Sequence, residues 1–295
     1  MTDSSAPTRG AYVALLGIDG TGKSTLAAGL AERCAQVGQP VRTLSWRRLV
    51  ESPAEPAGWP RDSLRNLWFE IFRLYYGGAT IDRGARDMPS SYDDLAARGG
   101  TEHLHDSAVE GIRAHGPLAA ALLEIAGNVL LQRDTIRQWV AEGYLVLQES
   151  YGFKHVVKEL LLAEELDPTL AAEAALTLRF AHELFGRVCV PDVGVLVRGD
   201  PAMALKWRTA QAGRTGVFEN FSVAGADPAG SFLDMQGRCA AAFDAFAADH
   251  GWLRFEMRDG PREHNRDRLL AELAGTPVGE LLRLTAVGAP EGARR

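Results

Sequence analysis

The sequence predicts an α/β fold in which a five-stranded parallel sheet sits in a three-layer α/β/α arrangement and carries a helical insertion. Five short apolar runs, at 12–17, 41–46, 144–148, 193–197 and 252–256, have the near-continuous hydrophobicity of strands buried on both faces. Helical patterns separate the runs, and such alternation builds a doubly wound sheet. Roughly 100 residues lie between the second and third runs, too many for one crossover helix, so this stretch must hold extra helices forming a cap or pocket wall.

Each element has its own signal. The first strand ends at a glycine-rich turn and a helix follows over 22–37, stopped by Gly38-Gln39-Pro40 before Val41 opens the second strand. The segment 51–60, ESPAEPAGWP, is a Pro-rich loop. Leu64, Leu67, Trp68, Ile71, Phe72 and Tyr75 then form a helical apolar stripe that ends at Gly77-Gly78. Residues 79–116 are polar and weakly patterned. Pro117, the helix formers after it and Gly143 mark a long helix over 117–142. Asp192 and Asp200-Pro201 bracket the fourth strand and open a helix over 201–212.

With 295 residues, 46% apolar and 24% charged, the chain can bury a full core, which excludes disordered and fibrous classes. A formal charge of −6 argues against nucleic-acid binding, which draws on clustered Lys and Arg. Only four lysines (Lys23, Lys154, Lys158, Lys206) stand against 28 arginines, and with the abundant alanine this reads as base-composition bias. Cys34, Cys189 and Cys239 lack metal-ligand or disulfide spacing and read as core thiols in a reducing compartment. The first ten residues lack a signal-peptide pattern, and no apolar stretch reaches the roughly 18–20 residues of a membrane span. The expectation is a cytoplasmic protein without a membrane partner.

The chemistry concentrates in GIDGTGKST, residues 17–25, which fits G-x-x-x-x-G-K-[ST] and lies between a strand and a helix. Gly17, Gly20 and Gly22 let backbone N–H groups fold around phosphate oxygens, with Ser24 and Thr25 opening the helix. Its N-terminus adds partial positive charge, Lys23 reaches the β/γ-phosphates, and the Ser24 hydroxyl ligates magnesium. This places the fold among the P-loop NTPases, with ATP and Mg2+ as the expected nucleotide and metal. A magnesium site also needs a carboxylate at the end of a neighbouring strand, and Glu149, after YLVLQ, is the candidate second metal ligand. Asp19 lies inside the loop, where it either orients an acceptor hydroxyl or a magnesium-bound water, or simply forms the turn.

With these residues the chain resembles the thymidylate kinase family of P-loop nucleoside monophosphate kinases, whose loop reads G-x-D-G-x-G-K-[ST]. The segments 122–151, 191–205, 212–220 and 252–260 look like its long helix and third strand, fourth strand and helix, lid, and fifth strand with the adenine-side loop. The resemblance implies one kinase domain over 11–275, with an acceptor-side cap at 51–116 and a lid at 206–225. A flexible N-terminus (1–10) precedes it, and a C-terminal helix and tail (276–295) follow. It implies phosphoryl transfer from ATP to a small-molecule acceptor, a nucleoside, nucleotide or related hydroxyl-bearing metabolite, assisted by lid arginines, for which Arg208 and Arg214 match. It also implies acceptor contacts from Arg47, Arg48 and Tyr151, and a homodimer. Trp68, Phe72 and Tyr75 either stack on an acceptor ring or pack their helix.

The departures from the family fall on the acceptor side. Its Asp-Arg-Tyr/His is here Glu149-Ser150-Tyr151, nothing basic stands around Gly127-Asn128-Val129, and the lid reads Gly216-Val217 before Phe218-Glu219. Two missing arginines remove charge-assisted bonds worth about 1.5–3 kcal/mol each, which argues against thymidylate as acceptor. An authentic dTMP kinase and a P-loop ATPase switch that controls a protein partner stay open as alternatives. His103-Leu104-His105-Asp106 reads as an exposed polar loop, and His155 and His182 as surface or core residues.

Overall fold

A computed structural model of the chain describes residues 9–52, 58–84, 87–100, 109–216, 218–222 and 225–284. Strand β1 (Ala11–Leu16) leads into helix α1 (Lys23–Val37) and β2 (Val41–Leu44). Then come α2 (Trp46–Glu51), α3 (Arg61–Tyr75), β3 (Thr80–Ile81), α4 (Tyr92–Ala97), β4 (Val109–Glu110) and α5 (His115–Leu131). One π-helical turn (Gln132–Ile136) joins α5 to α6 (Arg137–Ala141), followed by β5 (Leu145–Gln148), α7 (Phe153–Leu166) and α8 (Ala171–Arg187). The chain continues through β6 (Val193–Arg198), α9 (Pro201–Ala212), α10 (Pro228–Asp249), β7 (Leu253–Glu256), α11 (Arg262–Leu273) and α12 (Pro277–Leu281).

The five long strands pair in parallel in the order β2-β5-β1-β6-β7, so β1 is central and every strand's carboxyl end lies at one edge. The period-2 alternation of strands divides β1 between two cores. Ala11, Val13 and Leu15 face α1, α11 and α12 through Leu26, Leu30, Leu269, Leu273 and Val278. Tyr12, Ala14 and Leu16 face the other layer, which includes the aromatics of α7, α8 and α10 and runs on without a break into α3 and α5. The result is a three-layer α/β/α fold whose insertion shares the core of one face. All three cysteines are buried and unpaired.

All five expected strands form, with changed ends at the site. The second stops at Leu44 because Ser45 turns the chain and caps α2, its Oγ accepting from Arg48 N at 3.2 Å. Arg47 and Arg48 therefore sit on the first turn of a short helix. The weakly patterned stretch holds the antiparallel β3–β4 pair, and the long helix starts two residues early, at His115. Trp46 locks α2 onto the insertion: its indole N–H donates to Leu64 O at 3.0 Å, and a Cβ on Gly127 of α5 would lie 1.7 Å from its ring. The C-terminal helix is short, and the 103–106 motif lies outside the described residues. Among the described residues no helix is long and apolar enough to cross a membrane.

Candidate functional site

Residues 17–22 form a tight turn at the carboxyl edge, between the central strand and α1. Gly17 is required by crowding, since a Cβ there would lie 2.4 Å from Val197 O of β6. Gly22, the N-cap of α1, has φ 81°, a left-handed conformation that costs glycine little. Side chains of Ser45, Ser91, Asp200, Asp227 and Thr276 cap α2, α4, α9, α10 and α12, whereas α3, α5, α7, α8 and α11, like α1, have no such cap. The N-terminus of α1 has no side-chain cap and no acidic residue in its first turn, so its first N–H groups and dipole are available to an anion. Lys23 folds back over the turn and donates to Ile18 O at 2.5 Å; Thr21 Oγ1 donates to the same oxygen at 2.9 Å. Ser24 is exposed beside it and Thr25 half-buried.

Asp19 is the centre of a charge cluster. Lys154 and Lys158, one turn apart on α7, donate to its two carboxylate oxygens, Lys158 at 2.8 Å. Gln236 of α10 accepts from Asp19 N at 2.9 Å and donates to Glu219 O at 2.8 Å. Burial alone would raise the Asp19 carboxyl, but Lys154 and Lys158 outweigh it and hold it well below the usual carboxylate range. Burial, then the charge of Lys154, pushes the Lys23 ammonium well down. Two of the chain's four lysines thus pair with one carboxylate, and a third, Lys23, lies close enough to interact with it.

This cluster forms one end of a cavity of about 370 Å3. Trp68, Ile71, Phe72 and Tyr75 of α3 supply an aromatic wall, Glu124 and Asn128 of α5 and Glu159 of α7 the inner polar wall, and Arg47 is also in the lining. Phe218, in the loop after α9, packs on Tyr75 and Tyr76 with ring centroids 4.8 and 5.4 Å apart, so this loop closes one side. Asn128 Nδ2 donates to Glu124 O at 2.8 Å and to Glu124 Oε1 at 3.1 Å. Burial pushes the Glu124 carboxyl up to about 8; burial and the neighbouring Glu124 raise Glu159 well above the usual range.

The structure brings Asp19, Lys23, Arg47, Trp68 and Phe72 together around the turn and cavity and parts them from several other expected residues. Glu149 lies just past β5, half-buried, with Oε1 3.7 Å from Arg48. Arg48 is exposed and outside the cavity lining, contrary to its expected acceptor role, because the first turn of α2 directs it to Glu149. Tyr151 is also corrected: it is 1% exposed, its hydroxyl donates to Phe185 O and Cys189 O at 3.1 Å, and its ring packs on Trp252. Arg208 forms a two-pronged ion pair with Glu219, at 2.7 and 2.9 Å, and so fastens the loop after α9. Arg214 is exposed in that loop. His155 is exposed and reaches the cavity lining, while His182 pairs with Asp249 at 3.3 Å.

Sequence reasoning missed Lys154, Lys158, Gln236, Glu124 and Glu159. A signal existed for the lysines: the i, i+4 spacing one helical turn past Glu149, in a chain that otherwise uses arginine. Among the described residues no group of three His, Cys, Asp or Glu side chains gathers to hold a metal. A comparison with protein-family models and with curated proteins finds no match to this chain.

Proposed function

We propose that the protein is an ATP-dependent phosphotransferase of the P-loop kinase class, thymidylate-kinase-like in fold, that acts on a small hydroxyl-bearing acceptor. One observation carries this reading: the glycine-rich turn at the N-terminus of α1, with Lys23 over it, shares Asp19 with a cavity of small-molecule size, so an anion site and a small-molecule site meet at one carboxylate. A switch that senses nucleotide for a protein partner has no use for such a cavity. The inner wall offers no basic residue midway along α5 to hold a phosphate, which disfavours thymidylate.

The residues that would hold magnesium and a polyphosphate are the N–H groups of the turn and Lys23 for the phosphates, and the exposed Ser24 hydroxyl with Glu149 for the metal. Bound MgATP supplies the transferable phosphoryl group and neutralises part of its charge. Lys154 and Lys158 add fixed positive charge where that group meets the acceptor, a preorganised electrostatic contribution. Asp19, held ionised by its lysines, is a weak proton acceptor and acts by orienting the acceptor hydroxyl and the two ammonium groups. The Arg208–Glu219 pair and Phe218 hold the lid loop down and exclude water.

The test is ADP release with a library of hydroxylated acceptors. Acceptor-dependent turnover is expected, and Lys23→Ala should lower it about 100-fold or more. Wild-type turnover in Lys23→Ala would refute the assignment.

A further inference from the structure

Glu124 and Glu159 are 7% and 6% exposed, and both belong to the cavity wall. Asn128 serves Glu124, whereas Glu159 Oε2 is buried without a hydrogen-bond partner. A carboxyl in that position is costly unless something completes it. The chain's own nearby cations are committed elsewhere: Lys154 and Lys158 to Asp19, and Arg47 Nε to Glu51 Oε1 at 3.0 Å. Helix α7 thus presents two adjacent stripes to the cavity, Lys154 and Lys158 toward the glycine-rich turn, and Glu159 toward the insertion. Tyr75 of the aromatic wall lies close enough to Glu159 to interact with its charge, and Trp68 and Phe72, whose ring faces attract cations, line the same cavity.

We infer that the acceptor is a small amino alcohol: its protonated amine seats against Glu159 and Glu124, with the aromatic wall of α3 lining the same cavity, and its hydroxyl lies at the Asp19 end. The hydroxyl's role rests on the phosphotransferase reading; the amine site does not. Arriving positive charge supplies what the two acids lack, and it offsets the burial that keeps their protons on. A neutral polyol would leave the second acid uncompensated, and a phosphomonoester would find the nearby cations already paired.

The test is isothermal calorimetry of the full chain at pH 7 with matched probes: 2-deoxystreptamine against scyllo-inositol, phenylalaninol against 3-phenylpropan-1-ol, 3′-amino-3′-deoxythymidine against thymidine, and dTMP. The tightest ligand should be an amine that binds about tenfold or more tighter than its neutral partner, and Glu159→Gln should erase that preference. Glu159→Asp, which keeps a carboxyl able to ionise against the amine, should restore part of it, and thermal melts establish that both variants fold. The inference falls if no amine outbinds its neutral partner, if dTMP binds best, or if Glu159→Gln keeps the preference. Amine binding without ADP release under MgATP would overturn the phosphotransferase reading alone. ADP release with only neutral acceptors would overturn the amine site alone.

Discussion

Replacing Glu124 by glutamine exchanges a carboxyl that burial pushes up to about 8 for an amide with no proton to lose. Glu159 of α7, Asn128 of α5 and, through Glu159, Tyr75 of α3 and Lys158 are the polar groups around it. A raised acid stabilises the fold fully below its unfolded value near 4.5, and that contribution is lost as pH rises toward 8. The folded state then holds a proton the unfolded chain has released, a loss of up to about 5 kcal/mol across the window. Melting curves of Glu124→Gln should therefore match wild type near pH 4.5 and exceed it increasingly up to pH 8. Asp19 has the opposite sign, because its lowered carboxyl stabilises the fold above the usual value and the benefit is lost in acid. Asp19→Asn leaves two buried ammonium groups without their partner, so denaturant titration at pH 7 should show a loss of about 3–5 kcal/mol. The gap should narrow as pH falls and wild-type Asp19 takes up its proton.

Helix α7 and the loop after α9 turn these residues into a site. The α7 sequence places Lys154 and Lys158 on one stripe and Glu159 on the next, so a single helix faces both the glycine-rich turn and the insertion. The loop after α9 is held at two points, Arg208 to Glu219 and Phe218 to the ring pair Tyr75 and Tyr76. Phe218→Ala removes two aromatic contacts worth about 0.5–1.5 kcal/mol each, so acceptor KM should rise about tenfold while nucleotide affinity holds. Equal loss of both affinities would show that the loop serves the whole fold rather than the cavity. At the other end of the turn, Gly17→Ala would drive a methyl into the backbone of β6, and a large fall in Tm is expected.

Much of the architecture was legible because it depends on local signals. The five strands are short apolar runs, α1 ends at Gly38, and α9 spans 201–212 as its Asp-Pro start and its Gly213 end imply. The stripe on α3 was equally readable, since six apolar residues recur at helical spacing. The β3–β4 pair was not, because two-residue strands carry no period. Nor was the inner wall of the cavity: Glu124 reads as an ordinary helix former, and only packing of α3, α5 and α7 reveals a buried acid opposite Glu159. Tyr151 misled for the reverse reason, since a residue following a strand end can turn inward to carbonyls as readily as outward to a ligand. The proposed function depends on the turn at residues 17–25 acting as a polyphosphate cradle. Amide hydrogen exchange of the full chain with and without MgADP tests this most directly. Strong nucleotide-dependent protection centred on residues 17–25 is the predicted result; protection confined to other segments, with the turn exchanging as before, would contradict it.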